Sequence, residues 1–228
     1  MIRHVAETGS TNDDVAALAR EGAPEGLWLR ADAQTGGRGR QKRVWRSPPG
    51  NLYASTLVRL RPGDPPAATL ALVAAVALHE AAAAYAPDAG IRIKWPNDLI
   101  VGGAKLAGIL LEREGEAVVI GFGANLAFHP EDIDRPATSL AALAGAAPEP
   151  AAFLDHLAEV FTRRLADWRS GLPAIRTAWL AAAHPVGTAL STPEGEGLFE
   201  GLDESGALRL RLAGGKVRSV HAGDVFLI

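Results

Sequence analysis

The 228-residue sequence contains no cysteine. Disulfides, zinc–thiolate centres, iron–sulfur clusters and thiol nucleophiles are therefore excluded. Lysine is scarce, with only Lys42, Lys94, Lys105 and Lys216 among 23 basic residues. The net charge of −3 shows no bulk excess of positive charge of the kind a general nucleic-acid binder carries. The first ten residues, MIRHVAETGS, lack the apolar run of a signal peptide. The longest weakly polar stretch, 67–78, is alanine-rich and reads as too short to span a bilayer. Hydrophobic residues make up 48% and charged residues 21%, which suits a folded chain and argues against disorder. The expectation is a cytoplasmic protein off the membrane. Its length allows one large domain or a large one with a small one.

Positive charge, sparse overall, is concentrated. Between Asp32 and Asp64 there is no acidic residue but seven basic ones: Arg38, Arg40, Lys42, Arg43, Arg46, Arg59 and Arg61. The rest of the chain holds 16 basic residues against 26 acidic ones. Such segregation points to an anion site or to a solvated basic loop.

Patterning divides the chain. Ile2–Ala6 reads as a strand, and Thr11–Asp14 as a capping-box variant opening a helix that stops near Gly22. A strand is expected at 27–31. The glycine-rich, basic segment 34–50 reads as a long loop, a kind that is more often functional than neutral. Strand 51–60 and an alanine-rich helix over 67–85, apolar nearly all round and hence buried, follow. Strands are expected at 91–95 and 116–122, with a hairpin through Gly102-Gly103. Two helices are predicted over 148–169 and 173–183. Beyond His184-Pro185, turns recur about every ten residues, the mark of a small all-β barrel. The boundary falls near 184, and no internal repeat is present.

Five local patterns carry polar chemistry. Gly9-Ser10-Thr11-Asn12 stands at a strand-to-helix turn, where exposed amides and two hydroxyls suit a polar ligand or an ordinary N-cap. Gln34-Thr35-Gly36-Gly37-Arg38-Gly39-Arg40 continues through Lys42 and Arg43 to Trp45. Its glycines permit close backbone approach, its guanidinium groups suit oxyanions, and the indole can stack on a base. The same segment also reads as an RNA-binding loop, but it lacks the Gly-Lys-Ser/Thr ending of a P-loop. Lys94-Trp95-Pro96-Asn97-Asp98 puts an amide and a carboxylate at a sheet rim, to hold magnesium through water or to stabilise the turn. Lys105-Leu106-Ala107-Gly108-Ile109-Leu110 opens a core strand with one ammonium, which calls for an anionic ligand or for a salt bridge to Asp98 or Glu112. Gly121-Phe122-Gly123-Ala124-Asn125 ends a strand with an amide able to read an adenine edge or to close a turn.

In this order and combination, from about Ser10 to Asn125 and again at Ala222-Gly223-Asp224-Val225, the patterns closely resemble the bacterial biotin protein ligases. The resemblance implies an α+β fold. A catalytic domain related to class II aminoacyl-tRNA synthetases and lipoate ligases, 1–183, precedes an SH3-like β barrel, 184–228. It implies ATP and Mg2+ as cofactors and biotin as substrate. Biotinyl-5′-AMP forms, and its acyl group passes to one lysine of a biotin carboxyl carrier domain of a biotin-dependent carboxylase. It also implies the site residues. Arg40 and Lys105 neutralise the meeting anions, and Asp98 lies near the adenylate as a metal ligand or a base. Ser10, Thr11, Asn12, Gln34, Gly37, Arg38, Gly39, Arg40, Lys105 and Gly108 surround biotin. Arg38, Arg40, Trp45, Asn97, Lys105 and Asn125 surround ATP, while Lys94 plays a supporting part. A homodimer pairing through edge strands is implied as well. Because the first motif begins at residue 10, no operator-binding domain is expected. Two other readings compete: a lipoate or octanoate ligase or transferase on the same fold, and a nucleic-acid-binding module using 38–46.

Overall fold

The computed structural model describes residues 1–131 and 135–228. Its larger sheet is built from β1 (Ile2–Thr8), β2 (Trp28–Gln34), β3 (Leu52–Arg59), β4 (Arg92–Lys94), β5 (Asp98–Val101), β6 (Ala104–Glu114) and β7 (Ala117–Ala124). The spatial order is β1-β2-β3-β7-β6-β5-β4. β1 and β2 are parallel, so a crossover must join them, and helix α1 (Thr11–Arg20) is that crossover. Every other pairing is antiparallel.

Alternation along the central strands separates two faces. Val118, Ile120, Phe122 and Ala124 of β7, with Ala54 and Val58 of β3, face the main core. There they meet α2 (Leu70–Tyr85), α4 (Pro150–Arg169) and α5 (Leu172–Ala182); a short α3 (Leu140–Ala144) precedes α4. Alanines at 74, 75, 77, 81 and 82 of α2 are buried, and their small size allows close helix approach. Trp28, Phe122 and Phe161 form an aromatic trio with centroids 5.4–6.0 Å apart. On the other face, Val119 and Leu57 pack against Val15 and Ala19 of α1. Helix α1 covers only one end of that face, and the functional cavity occupies the remainder.

Several expectations are corrected. The helix starts at Thr11 with Ser10 as its cap residue, and Asp14 accepts from Thr8 Oγ1 at 2.6 Å instead of closing a capping box. Segment 34–50 is a folded flap, with bridges Gln34–Ser47 and Arg38–Val44 and a short 3-10 turn at Arg40–Lys42. The apolar helical segment runs 19 residues, Ala67–Tyr85, and by length and composition alone would suffice to cross a membrane. Ten residues of α2 are buried within the core, which accounts for that composition.

A second sheet comprises β8 (Ala189–Thr192), β9 (Gly195–Leu202), β10 (Leu208–Leu212), β11 (Val217–Val220) and β12 (Phe226–Leu227), in the order β11-β10-β9-β8-β12. All pairs are antiparallel. Phe199, Leu202, Leu208 and Leu210 join the main core, with Phe199 6.3 Å from Trp179. The turn before β10 is set by Asp203. Burial opposes its ionisation, but bonds from Ser205, Ser219 and Ala207 outweigh this and hold the carboxyl at about 2. Gly206, in the same turn, has φ +84°, and a Cβ there would lie 2.8 Å from Leu72 of α2.

Candidate active site

A cavity of about 550 Å3 opens where the N-terminus of α1, the flap 38–46, the β4–β5 turn and the faces of β6 and β7 meet. Its lining includes Ser10, Thr11, Asn12, Gln34, Arg38, Gly39, Arg40, Trp45, Asn97, Asp98, Lys105, Gly108 and Asn125. Five motifs spread between Gly9 and Asn125 thus converge on one space. Gly37 alone of the expected residues is absent from the lining. It is tucked inside the flap, where a Cβ would stand 2.6 Å from both Ser47 Oγ and the Trp45 carbonyl oxygen.

One end of the cavity is uncharged and networked. The Thr11 amide donates to Gln34 Oε1 at 2.9 Å. Thr11 Oγ1 lies 2.8 Å from Ser55 Oγ and 3.1 Å from Gln34 Oε1. Ser55 donates to Asn12 Oδ1 at 2.6 Å, and Asn12 Nδ2 donates to Glu112 Oε2 at 2.7 Å. Gln34 Nε2 donates to Ser47 Oγ at 3.2 Å, which donates to the Trp45 carbonyl at 3.0 Å. Ser10 is buried and spends no side-chain bond on capping α1.

The floor between the two ends is made bare by glycine. Gly121 and Gly123 share the face of Val119 by strand alternation. A Cβ on Gly121 would lie 2.2 Å from Asn12 Oδ1, and one on Gly123 2.8 Å from the Trp45 indole. Trp45 therefore lies flat on β7, and its Nε1 is buried with no hydrogen-bond partner among the described residues.

The other end is charged. Lys105 Nζ lies 2.7 Å from Asp98 Oδ1 and 5.4 Å from the Trp45 ring centroid. Lys94 Nζ lies 3.6 Å from Asp98 Oδ2. Burial lowers the Lys94 ammonium below its ordinary value, against the attraction of Asp98. Asn97 Nδ2 donates to the Ile109 carbonyl at 2.6 Å while the Ile109 amide donates back to the Asn97 carbonyl at 2.9 Å. That pair of hydrogen bonds to β6 braces the turn before Asp98, which pairs in register with Gly108 and reaches Lys105 through its side chain. The Asn125 side-chain amide donates to the Thr138 carbonyl at 3.0 Å. The turn beyond it is pinned by Asn51, whose Oδ1 accepts from the amides of Leu126, Ala127 and Phe128 at 2.9–3.0 Å.

The flap cations are engaged unequally. Arg38 donates bidentately to Asp13 at 2.7 Å and to Glu112 at 2.9 and 3.1 Å. That bonding holds the Asp13 carboxyl below the usual carboxylate range despite partial burial. Arg43 bonds Asp224, between β11 and β12, and lowers its carboxyl. Arg40 makes longer contacts than these two, to the Gly223 carbonyl at 3.2 Å and to Asp224 at 3.9 Å.

Both anticipated partners of Lys105 bear on the site, but only Asp98 pairs with it; Glu112 serves Asn12 and Arg38. Among the described residues no group of three or more His, Asp or Glu is placed to hold a metal ion, and Asp98 is already compensated by two ammonium groups. Asp13 and Ser55 escaped the sequence reading, which named Glu112 only as a partner for Lys105 and Asp224 only as part of the C-terminal pattern. Ser55 left a signal, as one of two aliphatic hydroxyls, with Thr56, inside the otherwise core-like strand β3.

Residues 8–125 match the biotin/lipoate A/B protein ligase family, and residues 188–228 match the biotin protein ligase C-terminal domain. The chain is 41% identical to a biotin–[acetyl-CoA-carboxylase] ligase from Paracoccus denitrificans, over 97% of this chain and 98% of that one. It is 36% identical to a protein of the same name from Mycobacterium tuberculosis, over 97% and 86% of the two chains. Its fold matches the biotin protein ligase from Aquifex aeolicus solved with biotin and ATP, with a TM-score of 0.89 at 24% identity over 100% and 99% of the two chains. Fold, site and likeness together define a protein ligase. The chain belongs to the biotin/lipoate A/B protein ligase family, with the biotin ligase C-terminal domain attached.

Proposed function

We infer that the chain is an ATP-dependent biotin protein ligase acting in two steps. The biotin carboxylate attacks the α-phosphorus of ATP, giving biotinyl-5′-AMP and releasing pyrophosphate. The amine of a carrier lysine then attacks the acyl carbon, an amide forms, AMP leaves and a proton is lost. The observation that carries this reading is the division of one cavity into a neutral hydrogen-bonding end and a cationic end, with an indole between them. A ring bearing N–H donors and a carbonyl suits the first end. Two mutually repelling anions need the second, where fixed cations lower the barrier to their approach.

In this reading Arg40 and Lys105 contact the reacting carboxylate and phosphate. Asp98 acts by holding Lys105, and Trp45 offers its face to the adenine. Ser10, Thr11, Asn12, Gln34, Arg38, Gly39 and Gly108 serve the biotin side, with Gly37 shaping the flap. Asn97 and Asn125 act through the backbone they brace. Magnesium enters with the nucleotide phosphates. The acceptor is a biotin carboxyl carrier domain. The catalytic unit extends to about residue 183, where Ala183 bridges Ile93, and the barrel follows from 184. A homodimer belongs to the same reading, through one of the edge strands of the larger sheet, β1 or β4. So does a cytoplasmic location without nucleic-acid partners, since Arg38 and Arg43 are committed to carboxylates of the chain itself.

Incubation with ATP, magnesium and labelled biotin, with and without a carrier domain, tests it. Labelled adenylate in the first case and labelled carrier in the second are expected. Transfer of lipoyl or octanoyl groups in place of biotin would overturn it.

A further inference from the structure

Glu112 lies outside every motif, yet it joins two parts of the site. One oxygen accepts from Asn12 Nδ2 at 2.7 Å, and Arg38 Nη2 lies 2.9 and 3.1 Å from its two oxygens. We propose that Glu112 is a positioning residue that orients the Asn12 amide and thereby sets the donor and acceptor pattern of the cavity's neutral end. This rests on the reading of that end as the biotin head-group site.

The argument is one of proton direction. A carboxylate accepts and cannot donate, so Asn12 must turn its NH2 toward Glu112. Its Oδ1 then points to Ser55, which donates to it at 2.6 Å. A serine hydroxyl has a single proton, so Ser55 accepts from Thr11, 2.8 Å away; the longer donation open to Thr11, to Gln34 Oε1 at 3.1 Å, gives way because that oxygen already accepts from the Thr11 amide. Thr11 Oγ1, which lines the cavity, is left with an acceptor lone pair for a ligand N–H. The Thr11 amide independently fixes Gln34 by donating to its Oε1 at 2.9 Å, which turns Gln34 Nε2 toward Ser47. Space does not permit Asn12 to escape. Gly121 presses against its amide so closely that even a methyl group there would overlap Oδ1. With a neutral, flippable amide at position 112, only the long contact of Asn12 Nδ2 to the Leu110 carbonyl, 3.5 Å, still favours the present orientation; Asn12 can reverse, Ser55 can donate to Thr11, and the pattern offered to the ligand becomes mixed. The contact to Arg38 gives Glu112 a second tie to the flap, but Asp13 holds that arginine bidentately without touching Asn12.

The test measures biotin affinity and ATP affinity separately by calorimetry, with melting temperature alongside. Glu112→Gln is expected to weaken biotin binding about tenfold, the difference between a charge-assisted and a neutral bond, with ATP affinity within twofold. Asp13→Asn, which cuts only the Arg38 arm, is expected to leave biotin affinity within threefold. On an Asn12→Ala background, Glu112→Gln should add nothing, because the two act through one contact. If Glu112→Gln does not fold, Ser55→Ala breaks the same relay beyond Asn12 and should match the tenfold loss. Equal losses from Glu112→Gln and Asp13→Asn, or an undiminished effect of Glu112→Gln without Asn12, would overturn the proposal. Unchanged biotin affinity in Glu112→Gln beside a tightly binding parent defeats this inference alone. A parent that binds no biotin defeats the functional reading beneath it.

Discussion

Lys105 Nζ stands 2.7 Å from Asp98 Oδ1, across the antiparallel pair β5–β6, and the same ammonium borders the cavity. The salt bridge and the ligand contact are therefore one arrangement, in which the carboxylate aims the cation. Replacing Lys105 by Gln leaves Asp98 with Lys94 at 3.6 Å, so no carboxylate is stranded. Loss of this partly exposed bridge should cost at most about 1 kcal/mol of stability. Adenylation should fall well over tenfold. Single-turnover adenylation and melting temperature on one mutant decide; retained chemistry in a destabilised protein would remove Lys105 from the reaction.

Of Arg38, Arg40 and Arg43, Arg40 makes the longest contacts with the chain itself, which leaves its guanidinium more available to a ligand. Arg40→Ala should lose more than tenfold in adenylation, since a charge-assisted contact contributes about 1.5–3 kcal/mol. Arg43→Ala, which severs the contact with Asp224, should change adenylation less. Rapid-quench assays of both variants would refute this ranking if Arg43→Ala proved the more damaging.

Gly123→Ala places a methyl group 2.8 Å from the Trp45 indole, so the ring must lift from β7. Overpacking of this kind costs about 1–3 kcal/mol. ATP affinity should drop more than biotin affinity, because the hydrogen-bonding network of the biotin end is centred on Thr11, Asn12, Gln34 and Ser55, away from the indole ring. Equal weakening of both ligands in calorimetry would show that Trp45 does not separate the two ends.

The flap carries two successive non-glycine residues in the left-handed region, Gln41 at φ 56° and Lys42 at φ 58°. Each conformation costs roughly 1–2 kcal/mol, and the flap meets the barrel mainly through Arg40 and Arg43. Hydrogen exchange across 36–46 should be fast without ligand and slow with biotin and ATP together. Identical exchange in the two states at saturation would contradict closure over ligand.

Burial, then Arg92 and Lys94, push the His184 imidazole below its ordinary value. Burial does the same for His79, against the Ile91 carbonyl and Glu80. The folded chain thus binds fewer protons at these groups than the unfolded chain. Stability from this source is complete above the ordinary value of about 6.5 and declines as pH falls below it toward the lowered folded value. Urea midpoints at pH 7.5 and pH 5.5 should differ in that direction, and His184→Gln should reduce the difference. An unchanged difference in the variant would exclude His184 as a contributor.

Much of the fold was readable because periodicity records which residues need burial. The strand calling for a core at 116–122, the apolar helix ending at Tyr85 and the turn-punctuated barrel beyond 188 all reflect that need. Element ends were less legible. Ser10 and Thr11 are both acceptable cap residues, and a one-residue shift costs little in local energy. The flap was missed as structure because its order comes from bridges to Ser47 and from contacts with Asp224, 181 residues beyond Arg43.

By itself the sequence determined which chemical groups were present and in what order, and hence the family resemblance and the five motifs. Tertiary structure alone decided how the charges were paired. Asp13 and Glu112 claimed Arg38, Asp98 claimed Lys105, and Asp224 claimed Arg43, across 25, 74, 7 and 181 positions of chain. Local preference says that a charge needs a partner, but any opposite charge satisfies that need. Strand order and register select which one arrives.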